Sequence, residues 1–167
     1  MKKLLGRTHD YLSLIRFSHT IFAMPFALAG YFIGATRPGY GFSLKTFLLV
    51  LACMVFARSA AMGFNRWADM YFDSLNPRTA VREIPSGKIT PRQALLFVTA
   101  SSLLFILSAA LLNKLTFILS PVALIIVLGY SYTKRFTPLC HLVLGLGLSL
   151  APIGAYLAVT GSFALLP

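Results

Sequence analysis

Acidic side chains are the scarcest ionisable resource in this 167-residue chain: there are four, Asp10, Asp69, Asp73 and Glu83, and none follows Glu83. Charged residues of both signs make up only 11%, whereas a soluble domain carries about a quarter. That shortage excludes an ordinary water-facing surface. Cysteine is limited to Cys53 and Cys140, each in or beside an apolar run. The two make neither a disulfide framework nor a metal signature, and they read as small packing residues. The three histidines, His9, His19 and His141, do not cluster in sequence. Gly30, Gly34, Gly145, Gly147 and Gly154 follow no strand-like segment, so they point to close helix packing rather than to a nucleotide-binding loop.

Apolar sequence fills the space that charge leaves. Hydrophobic residues reach 57% and the mean hydropathy is +0.79. Several uncharged runs approach the roughly 20 residues that a bilayer-crossing helix needs. The fold expected is an all-α integral membrane bundle of about five transmembrane helices, forming one domain over residues 1–167. A basic lead, Met1 to Arg16, precedes a first span from Phe17 to Thr36, too long for a signal-peptide core. Pro25 lies inside it, and Arg37-Pro38-Gly39 ends it. The second span is expected from about Lys45 to Phe64, with a polar loop over residues 74–91 after it. Thr90-Pro91 reads as a helix N-cap followed by proline at the first helical position. Further spans are expected over Gln93 to Asn113, Leu115 to Thr133 and Pro138 to Thr160, with Lys114 and Lys134-Arg135 in the turns and Gly161 as the final break.

The net charge of +11 is spread unevenly. Alternating spans place Lys2, Lys3, Arg7, Arg16, Arg58, Arg66, Arg78, Arg82, Lys88, Arg92, Lys134 and Arg135 towards one side. Arg37, Lys45 and Lys114 fall on the other. Twelve against three is a positive-inside pattern with a cytoplasmic N-terminus. The cations belong to loops between spans, not to a basic helix or a patch interleaved with aromatics, so a nucleic-acid partner is set aside.

Three of the four acids fall in one stretch, Asn65 to Gly87. Asn65, Asp69 and Asp73 are spaced four and four, so on a helix they share a slowly drifting stripe. Neighbours on that stripe lie about 6 Å apart along the axis. Oxygen ligands so placed suit Mg²⁺, which takes one or two carboxylates together with substrate phosphates. Arg58, seven residues before Asn65, lies on nearly the same face. Cations and metal together would clamp a diphosphate. A charge inside a span marks a polar cavity by default, although Arg58 could instead snorkel to the interface. Two other readings stay open. A transporter could use Asp69 and Asp73 as a cation site, though such acids usually lie at mid-span. In a structural subunit, the same acids would pair with arginines such as Arg78 and Arg82.

The run from Asn65 through Asp69, Asp73 and Asn76-Pro-Arg-Thr-Ala to Arg82-Glu-Ile-Pro-Ser-Gly87 resembles the first aspartate motif of the UbiA-type membrane prenyltransferases. Tyr130-Ser-Tyr-Thr-Lys134-Arg and Arg16-Phe-Ser-His-Thr are similar to other stretches of that family. The resemblance is nearest to the 4-hydroxybenzoate polyprenyltransferase group and its quinone-pathway relatives. It implies Mg²⁺-dependent transfer of a prenyl group from a polyprenyl diphosphate to an aromatic acid, hydroxybenzoate- or naphthoate-like, in ubiquinone or menaquinone biosynthesis. It also implies a bacterial inner-membrane location with the site on the cytoplasmic face. By position, Asn65, Asp69 and Asp73 become ligands of metal or diphosphate, Arg58, Tyr130 and Lys134 contacts of diphosphate, and Arg16 a partner of the acceptor carboxylate. Two departures stand out. Arg66 occupies the position after Asn65 where the family commonly has Asp, and no second Asp-rich motif follows. Because the family has about nine spans, the resemblance implies the N-terminal part of a longer protein, inactive by itself.

The charge asymmetry generates a direct test. A cysteine introduced as Ser86→Cys in a background lacking native cysteines should react with a membrane-impermeant maleimide only from the cytoplasmic side. Labelling from outside the cell would reverse the orientation.

Overall fold

The computed structural model describes residues 10–15, 17–133, 136 and 140–164. Residues 10–14 are helical, and six further helices follow: α1 Phe17–Ala35, α2 Leu44–Ala68, α3 Met70–Leu75, α4 Pro91–Leu112, α5 Lys114–Thr133 and α6 Cys140–Thr160. No strand occurs among the described residues. Four of the helices, α2, α4, α5 and α6, are each long and apolar enough to cross a bilayer, and Met24–Ala35 in α1 is a shorter apolar stretch. Helices are the natural outcome here, because a span in hydrocarbon must satisfy every backbone N–H and C=O within itself.

Local chemistry sets the helix ends. Ser43 caps α2, its Oγ accepting the Thr46 N–H. Thr90 and Gln93 form a reciprocal capping box at the start of α4, with Pro91 at the first helical position, as the sequence led one to expect. Only Asn113 separates α4 from α5, and its Oδ1 accepts the Thr116 N–H. Gly161 ends α6 with φ +65°, a conformation that favours glycine. The second span runs one turn past the expected Phe64, to Ala68, so Asn65 belongs to the span itself.

The bundle packs α2 chiefly against α4 and α1 against α6, with α5 between α4 and α6. One buried cluster joins Ala27 and Tyr31 of α1, Val50 and Met54 of α2, and Ala155 and Ala158 of α6. Large apolar side chains such as Leu96, Leu111, Ile125 and Leu142 remain exposed. In water such a surface would be an association patch; on membrane spans it suits the apolar surroundings of a bilayer.

The two ends of the bundle are built differently. At one end, the Tyr31 hydroxyl donates to the Ser43 carbonyl and accepts the Ser43 N–H, both at 2.9 Å. Tyr40 Oη donates to the Thr160 carbonyl at 2.9 Å, and Asn113 Nδ2 to the Leu157 carbonyl at 2.8 Å. Asn113 Nδ2 also reaches the Ala158 carbonyl at 3.2 Å, so with Tyr40 it serves carbonyls in the last turn of α6. At the other end, Leu14, Ile84, Ile89 and Ala94 form a second buried cluster, flanked by Tyr11, Trp67, Met70 and Phe97. Residues 76–90, expected to be a polar loop, therefore fold onto the bundle through two buried isoleucines. Each such burial stabilises by roughly 1.5–3 kcal/mol.

Glycine roles divide. A Cβ on Gly30 would stand 2.0 Å from the Pro152 carbonyl oxygen, so α1 and α6 approach there as the sequence suggested. Gly145 and Gly154, expected to mark similar contacts, have no described atom within 4 Å of an added Cβ. They face open space, and the close-packing reading is corrected for them. Replacing Gly30 by alanine should force α1 from α6 and cost about 1–3 kcal/mol, whereas Gly145→Ala should be nearly neutral. Thermal unfolding of the purified protein in detergent checks this; equal melting temperatures for the two variants would show that the α1–α6 approach is not tight.

Candidate functional site

The motif occupies the end of α2, the short helix α3 and the segment that folds back from it. Although α2 ends at Ala68, helical bonding continues across the junction. The Asp69 N–H donates to the Asn65 carbonyl at 3.0 Å, and the Asp73 N–H to the Asp69 carbonyl at 2.9 Å. Asp69 itself keeps a right-handed helical conformation, φ −89° and ψ −1°. Positions 65, 69 and 73 therefore follow one another at successive turns, the stripe that their spacing implies.

Burial and pairing differ along the stripe. Asn65 and Asp69 are half-buried, whereas Asp73 is buried. One guanidinium nitrogen of Arg82, Nη1, donates to both carboxylate oxygens of Asp73, at 2.7 and 2.8 Å. Thr79 Oγ1 donates to the Asp73 main-chain carbonyl at 3.0 Å. Of the two arginines the sequence offered as partners for the acids, Arg82 is the one in this ion pair. Arg78 uses its main-chain N–H to bond Asn76 Oδ1 and begin the turn.

A second contact ties the segment to the start of the chain. Ser13 Oγ donates to Glu83 Oε1, while Glu83 Oε2 is buried with no hydrogen-bond partner among the described residues. Sequence reasoning assigned Glu83 no role. Its isolation as an acid among isoleucine and proline was the available signal. Beside these contacts opens a cleft of about 600 Å³ lined by Ser13, Arg66, Arg78, Thr79, Val81, Arg82 and Glu83. Arg66, the departure from the family motif, is buried and borders this cleft. Three arginines thus line a single opening, a field that attracts anions.

Arg58 lies inside α2 and is half-buried, and its Nε is shielded from solvent without a hydrogen-bond partner among the described residues. An orphaned donor on a membrane-spanning cation is costly, and a phosphate oxygen is the kind of acceptor that would satisfy it. Tyr130 is half-buried near the end of α5. Tyr132, two residues on, meets Phe64 edge-on at 5.7 Å between ring centroids, bringing that end of α5 beside the motif helix. Arg16 and Lys134 lie outside the described residues.

The donor set fits a hard divalent cation. Asn65, Asp69 and Asp73 offer one amide and two carboxylates at successive helical turns, while among the described residues no group of three or more His, Cys, Asp or Glu comes together that could hold a metal ion. Mg²⁺, if held by so few protein ligands, would keep coordination places for phosphate oxygens and water.

Comparison with known proteins bears on the family and the fold. Residues 23–167 match the UbiA prenyltransferase family. The 4-hydroxybenzoate octaprenyltransferase of Vesicomyosocius okutanii is 37% identical over 115 residues, covering 69% of this chain and 42% of that protein. The enzyme of the same name from Neisseria meningitidis serogroup B is 37% identical over 121 residues, covering 72% and 38%. Among solved structures, a UbiA homolog from Aeropyrum pernix K1 superposes with a TM-score of 0.80 at 40% identity, covering 89% of this chain and 53% of that one. A UbiA homolog from Archaeoglobus fulgidus, solved with GPP and Mg²⁺ bound, superposes with a TM-score of 0.74 at 25% identity, covering 94% and 56%. The chain spans about two fifths of the curated relatives' length and about half that of the solved ones. The match runs through the span helices and the aspartate motif alike, and on that basis the chain belongs to the UbiA prenyltransferase family.

Proposed function

We propose that this chain carries the first metal and diphosphate half-site of an aromatic polyprenyltransferase. The observation that carries the proposal is the pair of helical bonds that link Asn65, Asp69 and Asp73 across the α2–α3 junction, with the orphaned Arg58 Nε two turns before Asn65 on α2. Asn65, Asp69 and Asp73 hold Mg²⁺. Bound there, the ion supplies positive charge against the diphosphate as it leaves. Arg58, Tyr130 and Lys134 contact the diphosphate. Charge that develops on a leaving group is best stabilised by donors already in place, in a site where water does not screen them. The apolar bundle provides that environment, and the lipid face gives a prenyl tail a surface of matching polarity. Arg16 faces the acceptor carboxylate. The allylic carbon, freed from its C–O bond, is attacked by the electron-rich aromatic ring, which then loses a proton.

The substrate class comes from the relatives, named for octaprenyl transfer to 4-hydroxybenzoate, and from the homolog solved with GPP and Mg²⁺. A polyprenyl diphosphate donor and a hydroxybenzoate- or naphthoate-like acceptor are therefore proposed, within ubiquinone or menaquinone synthesis. The uneven charge supports placing the site on the cytoplasmic face of a bacterial inner membrane. The ion pair between Asp73 and Arg82 is the feature that a purely structural role would also produce. The orphaned Arg58 donor favours the enzymatic reading over it.

The test is transfer of a radiolabelled prenyl group to 4-hydroxybenzoate by the protein as expressed from its gene in membranes. Asp69→Asn and Asp73→Asn should each lower turnover by about 100-fold or more, the scale on which losing one charge-stabilising group acts. Chelation of divalent cations should abolish transfer, and added Mg²⁺ should restore it. Undiminished turnover in both variants would remove this motif from the chemistry.

A further inference from the structure

Asp73 poses a problem for the proposed site. Its two carboxylate oxygens, the atoms a cation needs, both accept from Arg82 Nη1. The carboxylate side chain is only 9% exposed, while the Arg82 side chain is 27% exposed and borders the cleft with Arg66 and Arg78. A guanidinium and a divalent cation cannot both take the same two oxygens at bonding distance without strong repulsion.

We propose that Arg82 is an exchangeable counter-ion: it neutralises Asp73 when no metal is present, competes with the divalent cation for that carboxylate, and is released towards the cleft when the cation binds. The inference rests on the reading of Asp73 as a metal ligand. Three details of the geometry support exchange over permanent pairing. The contact uses one nitrogen bifurcated between two oxygens rather than the two-nitrogen fork that gives arginine–carboxylate pairs their extra strength. The guanidinium already borders the cleft of about 600 Å³, so it can leave Asp73 without crossing apolar packing. The backbone around it is held independently of the pair, by Thr79 Oγ1 on the Asp73 carbonyl, by the Arg82 N–H on the Thr79 carbonyl at 3.0 Å, and by the burial of Ile84 and Ile89. Only the side chain then has to move. Once released, Arg82 turns its positive charge wholly towards the cleft that it lines with Arg66 and Arg78. Metal loading thereby raises the affinity of the same region for an anion such as a diphosphate, and Arg82 acts as a positioning residue that couples the two.

Binding of Mn²⁺ alone, followed by electron paramagnetic resonance on the full protein in detergent without prenyl substrate, separates the outcomes. Arg82→Gln should bind Mn²⁺ about fivefold tighter than the wild type or better, since it removes a competitor whose pairing is of the order of a partly exposed ion pair. Arg82→Lys should return affinity to near the wild-type value, because an ammonium can bridge two oxygens as the single Nη1 does. Arg82→Met, which keeps the aliphatic stem, stands in if the glutamine variant does not fold. Unchanged or weaker Mn²⁺ binding in the neutral variants overturns the exchange. Failure of both to fold does so too, since it would make Arg82 a structural support. Asp69→Asn separates this failure from that of the parent reading. Weaker Mn²⁺ binding in Asp69→Asn with no gain in Arg82→Gln sinks only the exchange. Wild-type binding in Asp69→Asn, or no binding by any form, sinks the metal site and the exchange together.

Discussion

The absence of water along the spans governs this structure. In hydrocarbon each unpaired peptide group costs several kcal/mol, so the chain spends its apolar sequence on long helices and confines irregular backbone to their ends. The same constraint sorts the polar side chains. At one end they serve the backbone: Tyr31, Tyr40 and Asn113 bond main-chain groups of Ser43, Thr160 and Leu157. At the other end they gather around the aspartate motif, where Arg66, Arg78, Arg82, Asp73 and Glu83 crowd into a few turns of chain. One end is a closed cap, and the other is charged and open.

The segment between α3 and α4 gives the charged end its shape. Its turn is started by Asn76 and its two isoleucines are buried, so it folds as part of the bundle rather than as a tether. It is fastened at Asp73 through Arg82 and Thr79, and at the helical residues 10–14 through Ser13 and Glu83. A side-chain bond of this kind contributes of the order of 1 kcal/mol, less than either buried isoleucine. The apolar contacts therefore set where the segment lies, and the polar ones set which groups it presents to the motif helix. Positioning and chemistry are divided between different residues, so a polar partner can exchange without unfolding the segment.

The stripe at Asn65, Asp69 and Asp73 follows from helical geometry before any relative is considered. Arg66 departs from the family pattern, yet it lies one residue off the stripe and borders the arginine-lined cleft. The departure adds positive charge next to the motif and leaves the four-residue spacing of Asn65, Asp69 and Asp73 intact.

Composition, period and charge by themselves determined that the chain is helical, that it belongs in a membrane, and where most spans start and stop. Those properties depend on local propensity and on transfer of side chains from water, both of which act residue by residue. The four-residue spacing of the motif was legible for the same reason, since a helix repeats over short range. Three features required the tertiary structure. Which arginine meets Asp73 depends on how the chain turns after Leu75, and Arg78 and Arg82 were equal candidates until that turn placed Arg82 on the carboxylate. The pairing of Glu83 with Ser13 joins residues seventy positions apart, beyond the reach of any local pattern. Gly30 and Gly145 look alike in sequence, but only Gly30 faces a neighbouring backbone. Long-range contacts depend on how helices cross, and crossing is settled by the packing of whole faces, which no short stretch of sequence contains.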